Sequence, residues 1–221
     1  TPWRLVRTLL RREGPWGLVW RAVKRLGYCR AWWFVRQVDQ PWHAALPAGF
    51  TLRILQPGDL EAYQRFRPGT QAQDYLGYLS QGHRGYAVWT RSGIAAATWV
   101  GRDRVMSRTL GQALAFEPDE WYLFDAYTRP EYRGRRLQAA ILTAILRDAI
   151  SARQRRLLLL IEPHNRPSLA SRLRCGFERA GWVRQIRLGP WRWTFIRGPD
   201  RQPHPRCPAG GAGQEAPRRP G

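Results

Sequence analysis

Four consecutive residues, Arg133-Gly134-Arg135-Arg136, put three guanidinium groups and one flexible backbone position into a single short turn. Guanidinium forks and closely approaching backbone amides together suit the oxygens of a phosphate or pyrophosphate. What flanks the turn sharpens the reading. Residues 121–128 are short and rich in aromatics, Leu and Thr, and Pro130 follows, which favours a strand. Leu137, Ile141 and Ile145, with Leu142, Leu146 and Ala149 beside them, recur at three- and four-residue spacing. That period predicts an amphipathic helix with one buried stripe. A strand feeding a helix through a tight turn aims the helix's free N–H groups and positive dipole end at the turn, where an anion fits. An ordinary strand–helix connection with solvated arginines is the other reading of these residues.

The segment YTRPEYRGRRLQAAIL, residues 127–142, resembles the acyl-CoA-binding motif of the GNAT (Gcn5-related N-acetyltransferase) superfamily, written Q/R-x-x-G-x-G/A after a strand. Downstream, Asn165-Arg166-Pro167-Ser168 followed by Cys175-Gly176-Phe177 is similar to the family's next motif. The two occur in the family's order, separated by one strand, and the resemblance covers residues 50–197. It implies an α/β (α+β) fold: a mixed, mostly antiparallel twisted sheet flanked by helices, here with a basic helical N-terminal extension. It also implies acyl transfer from acetyl-CoA or another acyl-CoA to a small-molecule amine acceptor, with no metal. The pantetheine arm would bond the backbone near Ala126, Tyr127 and Thr128. The pyrophosphate would rest on the amides of Arg133, Gly134, Arg135, Arg136, Leu137 and Gln138, with Asn165 and Ser168 completing the coenzyme side.

The resemblance also exposes departures. Arg136 and Gln138 stand where family members carry Gly and Gly or Ala, residues that let the backbone approach phosphate closely. Arg172 stands where many relatives have a Tyr that protonates the leaving thiolate. Another acid serves, or the thiolate leaves to solvent, or the chain is a non-catalytic relative. For a general base the candidates are Asp125 on the central strand and Glu162 at the end of the next, because burial beside a crevice raises a carboxylate toward neutrality. Strand alternation places Tyr127 on the same face as Asp125, which makes it the candidate proton donor. The competing reading of Asp125 is a salt bridge to one of the many arginines. His164, in a Pro-His-Asn turn, reads as a surface residue.

Of 221 residues 37 are basic and 16 acidic, a formal charge of +21 with 43% hydrophobic residues. The shortage of acids implies a polyanionic neighbour: an anionic membrane surface, a phosphorylated small molecule, or, less favoured, nucleic acid. Cys29, Cys175 and Cys207 are odd in number and widely spaced, form no metal-binding pattern, and suit a reducing cytoplasm. No apolar run approaches the ~18 residues of a spanning helix, and arginines interrupt every apolar stretch near the N-terminus where a signal peptide would lie. The setting expected is cytoplasmic, with the inner membrane face as a possible docking surface.

Residues 1–40 form a basic, Trp-rich extension. Trp3, Val6 and Leu10, then Trp16, Val19, Trp20, Val23 and Leu26, make two apolar stripes separated by Gly14-Pro15. Such stripes opposite arginines describe helices lying in a membrane interface, or helices packed on the main domain or a second subunit, or a nucleic-acid arm. Residues 31–35 read as a short strand or buried connector. Residues 41–49 read as a linker, and 50–197 as the acyltransferase domain. Within that domain, 50–55 is a strand and 60–80 a helix divided at Arg67-Pro68-Gly69. Residues 86–100 are a hairpin, 102–116 ambiguous, 157–161 a fully buried strand, and 178–196 a final hairpin. From 198 the Pro, Gly, Arg and Gln content predicts a disordered tail.

Overall fold

The computed structural model describes residues 28–188 and 191–198; the amphipathic stripes of residues 1–27 and the polar tail from residue 199 lie outside them. Ten strands are present among the described residues: β1 (Tyr28–Gln37), β2 (Thr51–Ile54), β3 (Arg84–Thr90), β4 (Gly93–Gly101), β5 (Arg104–Ser107), β6 (Gln112–Ala115), β7 (Glu120–Thr128), β8 (Arg156–Ile161), β9 (Glu178–Leu188) and β10 (Trp191–Arg197). The helices are α1 (Leu60–Phe66), α2 (Ala72–Ser80), α3 (Leu137–Ser151) and α4 (Arg166–Arg174). Eight strands make one sheet in the order β10-β9-β1-β8-β7-β4-β3-β2, while β5 and β6 form a separate hairpin. Every neighbouring pair is antiparallel except β7 with β8. The mixed, mostly antiparallel sheet flanked by helices matches the expected class.

One boundary needs correction. The strand expected over 31–35, set within the N-terminal extension, is the ten-residue β1, and it lies between β8 and β9. Trp32 faces Ile161 on one side and Trp182 on the other. Its residues alternate between the two sheet faces, with Phe34 in one core and Trp33 in the other. A strand paired along both edges belongs to the domain, so the extension ends before Tyr28 rather than at residue 40.

The sheet divides the core in two. On one face α3 lays Leu137, Ile141, Leu142, Ile145 and Leu146 against Val88, Val100, Trp121, Leu123, Leu157 and Leu159. Each such Leu or Ile contributes on the order of 1.5–3 kcal/mol by leaving water. On the other face α1 and α2 cover Ala87, Ala97 and Trp99, and the β5–β6 hairpin covers Trp33, Tyr122 and Leu158. The segment that sequence left ambiguous is thus a lid over the second face. Helices α1 and α2 are separate because Pro68 disfavours helical geometry at Arg67, whose φ of −124° and ψ of 84° end α1.

At the base of the parallel pair Glu120 stands opposite Arg156, and the two form a short ion pair with side chains 1% and 5% exposed. This clamp fixes the amino ends of β7 and β8 together. What happens at their carboxyl ends sets the site.

Candidate active site

β7 and β8 are paired only at Glu120 with Arg156, Trp121 with Leu157, and Tyr122 with Leu158. Beyond those pairs β7 continues to Thr128 and β8 to Ile161 without a shared ladder. Parting parallel strands leave backbone groups uncommitted at their carboxyl ends, where open α/β sheets hold ligands. On its other edge β7 stays with β4, but the register slips: Trp99 faces Phe124 while Ala97 faces Tyr127. The extra residue belongs to β7, and Asp125 at φ 47° absorbs it in a bulge. Ala126, Tyr127 and Thr128 therefore lie just past the bulge.

The basic turn follows at once. Arg133 Nε donates to Thr128 O at 3.3 Å, Gly134 takes φ 80°, and Arg135 stacks its guanidinium over Tyr132, 5.6 Å from the ring centre. Arg136 is the N-cap of α3 and sits at φ 59°, the left-handed region. The position where the family has glycine thus keeps a glycine-like dihedral although it bears a long side chain. No side chain caps α3, so its first amides remain directed at the turn. Leu137 points into the core at 2% exposure, which leaves only its backbone for a ligand.

Gln138 turns inward. Its Nε2 donates to Ala97 O at 3.1 Å and Tyr127 O at 3.0 Å, with Thr128 Oγ1 at 3.3 Å. Its Oε1 accepts from Thr98 Oγ1 at 2.7 Å and from Arg172 Nη2 at 3.2 Å. The side chain therefore ties β4, β7 and α3 to α4 at the bulge. Two residues that depart from the family motif are each other's partners.

On the opposite face the Asp125 side chain is 3% exposed and receives Arg67 Nη2 at 2.5 Å and the Tyr63 hydroxyl at 3.2 Å. Trp99 Nε1 donates to that hydroxyl at 2.8 Å. Burial, and next the Asp125 charge, push the Tyr63 hydroxyl well above its ordinary value, so it stays a donor. Tyr127 meets Phe66 edge-on and lies under Arg67, whose guanidinium is 4.8 Å from the ring centre. Asp125 and Tyr127 do share the α1 side, and Asp125 is engaged by an arginine. Beside them Arg67, Pro68, Gly69, Thr70, Arg108 and Tyr127 line a recess of about 280 Å³. Arg108 Nη2 pairs with Asp74 at 2.6 Å at its rim. Thr70 is 7% exposed and its hydroxyl has no hydrogen-bond partner.

The remaining expected residues stand apart from that face. Glu162, one residue past β8, has Oε2 3.4 Å from His164 Nε2. Asn165 caps α4 by accepting from the Ser168 amide at 3.3 Å, so both motif residues serve the helix start. Gly176, at φ 75°, ends α4, and Arg36 Nη1 donates to Cys175 O at 2.8 Å. Sequence reasoning missed Tyr63, Thr70 and Arg108. Tyr63 and Arg108 reach the site from segments 62 and 17 residues before Asp125, where no local pattern marks them.

The arrangement is that of an α/β protein in which two parallel strands part toward their carboxyl ends, beside a helix whose start no side chain caps. The sequence profile of the Acetyltransferase (GNAT) family matches residues 53–177, and the chain belongs to that family. A sequence search of curated proteins found no match. Among solved structures the fold is similar to a GCN5-related N-acetyltransferase from Sphaerobacter thermophilus, with TM-score 0.54 and 19% identity over 81% of this chain and 57% of that one. It is also similar to a tandem GNAT protein from the clavulanic acid biosynthesis pathway, with TM-score 0.52 and 16% identity over 83% of this chain and 59% of that one. A GCN5-related N-acetyltransferase from Kribbella flavida gives TM-score 0.50 and 14% identity over 74% and 60%. The chain spans less than two thirds of each of these structures.

Proposed function

We propose that the protein is a working N-acyltransferase that takes an acyl group from acyl-CoA and delivers it to an amine held in the Arg67–Arg108 recess. The observation that carries this is the parting of β7 from β8 immediately beside the Asp125 bulge and the uncapped start of α3. In this reading the amides of residues 133–138 bind the pyrophosphate, assisted by the Arg133 and Arg136 guanidinium groups. The backbone of Ala126 to Thr128 aligns the pantetheine arm, and an amide freed by the bulge polarises the thioester carbonyl. The recess on the far face of β7 positions the amine for in-line attack, and this alignment supplies much of the acceleration. Asp125, ion-paired to Arg67, orients the recess. Glu162, paired with His164 on the β8 side, stands apart from the recess. Tyr127 lines the acceptor recess.

Two guanidinium groups around the recess favour an acceptor that carries an acidic group, such as a phosphate. A membrane-borne acceptor draws support from β10, whose Trp191, Trp193 and Phe195 are 67%, 45% and 52% exposed and share the strand with Arg192 and Arg197. Calorimetry with CoA and acetyl-CoA tests the central claim. The protein should bind both, and Arg133→Ala and Arg136→Ala should each weaken binding about tenfold, the loss of one or two charge-assisted contacts. One observation favours a second reading, a non-catalytic GNAT-fold protein that binds RNA through its basic surface: Gln138 and Arg172 meet across the path between α3 and α4. No coenzyme binding at near-millimolar ligand, together with salt-sensitive RNA binding, would select that reading.

A further inference from the structure

Three arginines among the described residues are almost wholly buried: Arg36, Arg156 and Arg172, at 3%, 4% and 5% exposure. The fold accounts for two of them. Arg156 faces Glu120, and Arg36 donates to Cys175 O, Gln40 O and Pro41 O at the carboxyl end of α4. Arg172 is different. Its one hydrogen bond runs to the neutral carboxamide oxygen of Gln138, its guanidinium lies 5.9 Å from the Phe177 ring centre, and no carboxylate among the described residues pairs with it. The nearby Cys175 thiol is held protonated by burial. A buried cation without a counter-ion costs several kcal/mol, and an anion arriving beside it recovers part of that.

The place of Arg172 says which anion. Gln138, which holds the guanidinium, donates to Tyr127 O and Ala97 O at the very bulge where the proposed acyl transfer occurs. Resting on that reading, we infer that Arg172 stabilises the CoA thiolate as it leaves, with Gln138 as the residue that positions it. As the nitrogen–carbon bond forms and the carbon–sulfur bond breaks, the electron pair passes to sulfur. The thiolate stays beside Arg172 as an ion pair and takes up no proton in the site. The proton shed by the attacking nitrogen leaves to water through the Arg67–Arg108 recess. A guanidinium does not donate its proton at neutral pH, so the role is electrostatic and replaces acid catalysis. Arg136, Arg36 and Arg174, which also lie around Cys175, add to the positive potential there.

Free CoA tests this without an acceptor. A cysteine thiol, the nearest reference, titrates near 8.5 in water. Calorimetric affinities for CoA and for desulfo-CoA, which lacks the thiol, are compared from pH 6.5 to 9.5. CoA should tighten about tenfold relative to desulfo-CoA across that range, the mark of a bound thiol lowered by about one unit. Arg172→Met should abolish the gain and Arg172→Lys should keep part of it. Gln138→Ala should reduce the gain of CoA over desulfo-CoA, because the guanidinium loses its anchor and not its charge. Parallel affinities for the two ligands in the unaltered protein would overturn the assignment and leave the acyl-CoA reading intact. Binding of neither ligand would remove that reading and this inference together. Should Arg172→Met fail to fold by circular dichroism, the unaltered protein and the lysine variant still decide the matter.

Discussion

Arg136 holds its backbone at φ 59°, a conformation that costs a non-glycine residue on the order of 1–2 kcal/mol. The chain keeps the dihedral that the turn needs and adds a guanidinium at the head of α3, so the loss of glycine changes the chemistry of the site more than its path. His83 is strained in another way. It is 4% exposed, packs against Tyr78 and Phe124, and neither ring nitrogen has a hydrogen-bond partner. Burial holds the imidazole below its ordinary value, with Asp103 opposing. The folded protein therefore resists a proton that the unfolded chain accepts below about pH 6.5. Stability attributable to His83 is complete above that pH and is lost as pH falls through it toward the lower folded value. Unfolding free energies from urea titrations should drop between pH 7.5 and pH 5, by up to about 1.4 kcal/mol per pH unit at the steepest, and His83→Phe should flatten that dependence. The residues legible from sequence were those whose chemistry is local, such as the arginines of 133–136. Gln138 and Arg172 are 34 residues apart, and their contact exists only once α3 and α4 flank the same gap.

The parting of β7 and β8 depends on what holds them at the other end. Glu120 and Arg156 are buried partners at the first rung of the parallel pair, and three rungs later the strands separate. Glu120→Ala leaves Arg156 buried without its carboxylate and should cost about 3–5 kcal/mol in a denaturation measurement. Replacing both, as Glu120→Leu with Arg156→Met, should recover most of that loss, because matched apolar groups need no compensating charge. A double variant as unstable as the single one would show that the pair sets the strand geometry as well as neutralising itself. Elements with a clear period were readable: α3 by its apolar stripe, β8 by its continuous apolar run, and the α1–α2 break by Arg67-Pro68-Gly69. The β5–β6 hairpin was not, since its four-residue strands carry Arg104 and Gln112 among few apolar residues and are fixed by packing on Trp33 and Tyr122. The length of β1 was hidden for a related reason. Its ladder partners, β8 and β9, lie more than 100 residues away in sequence.

At the scale of the whole molecule, an excess of 21 positive charges meets an exposed aromatic strand at the sheet edge. Trp191 and Trp193 stack 6.4 Å apart at 12°, and Phe195 follows on the same side of β10 by strand alternation. Arg197 follows on that side, while Arg192 alternates to the other face and its Nη1 donates to Gly111 O at 2.9 Å, which joins this edge to the β5–β6 hairpin. Tyr28, where the described chain begins, pairs with Ile186 on β9. Trp and Phe among arginines favour the headgroup level of an anionic bilayer, where apolar burial and lipid charge act together. Removal of residues 1–27 should leave the sheet intact, whereas removal of 1–40 takes β1 from between β8 and β9 and should unfold the domain. Flotation with vesicles containing anionic phospholipid, compared with neutral vesicles, separates the contributions. The full chain should float with anionic vesicles only, and less at 0.5 M salt than at 0.1 M, where the screening length is about 10 Å. Trp191→Ser with Trp193→Ser should weaken flotation with thermal stability largely kept, because both side chains are exposed at the sheet edge. Equal flotation by the intact and doubly substituted chains would mean that β10 does not touch the bilayer, and that any attraction comes from residues 1–27 or from charge alone.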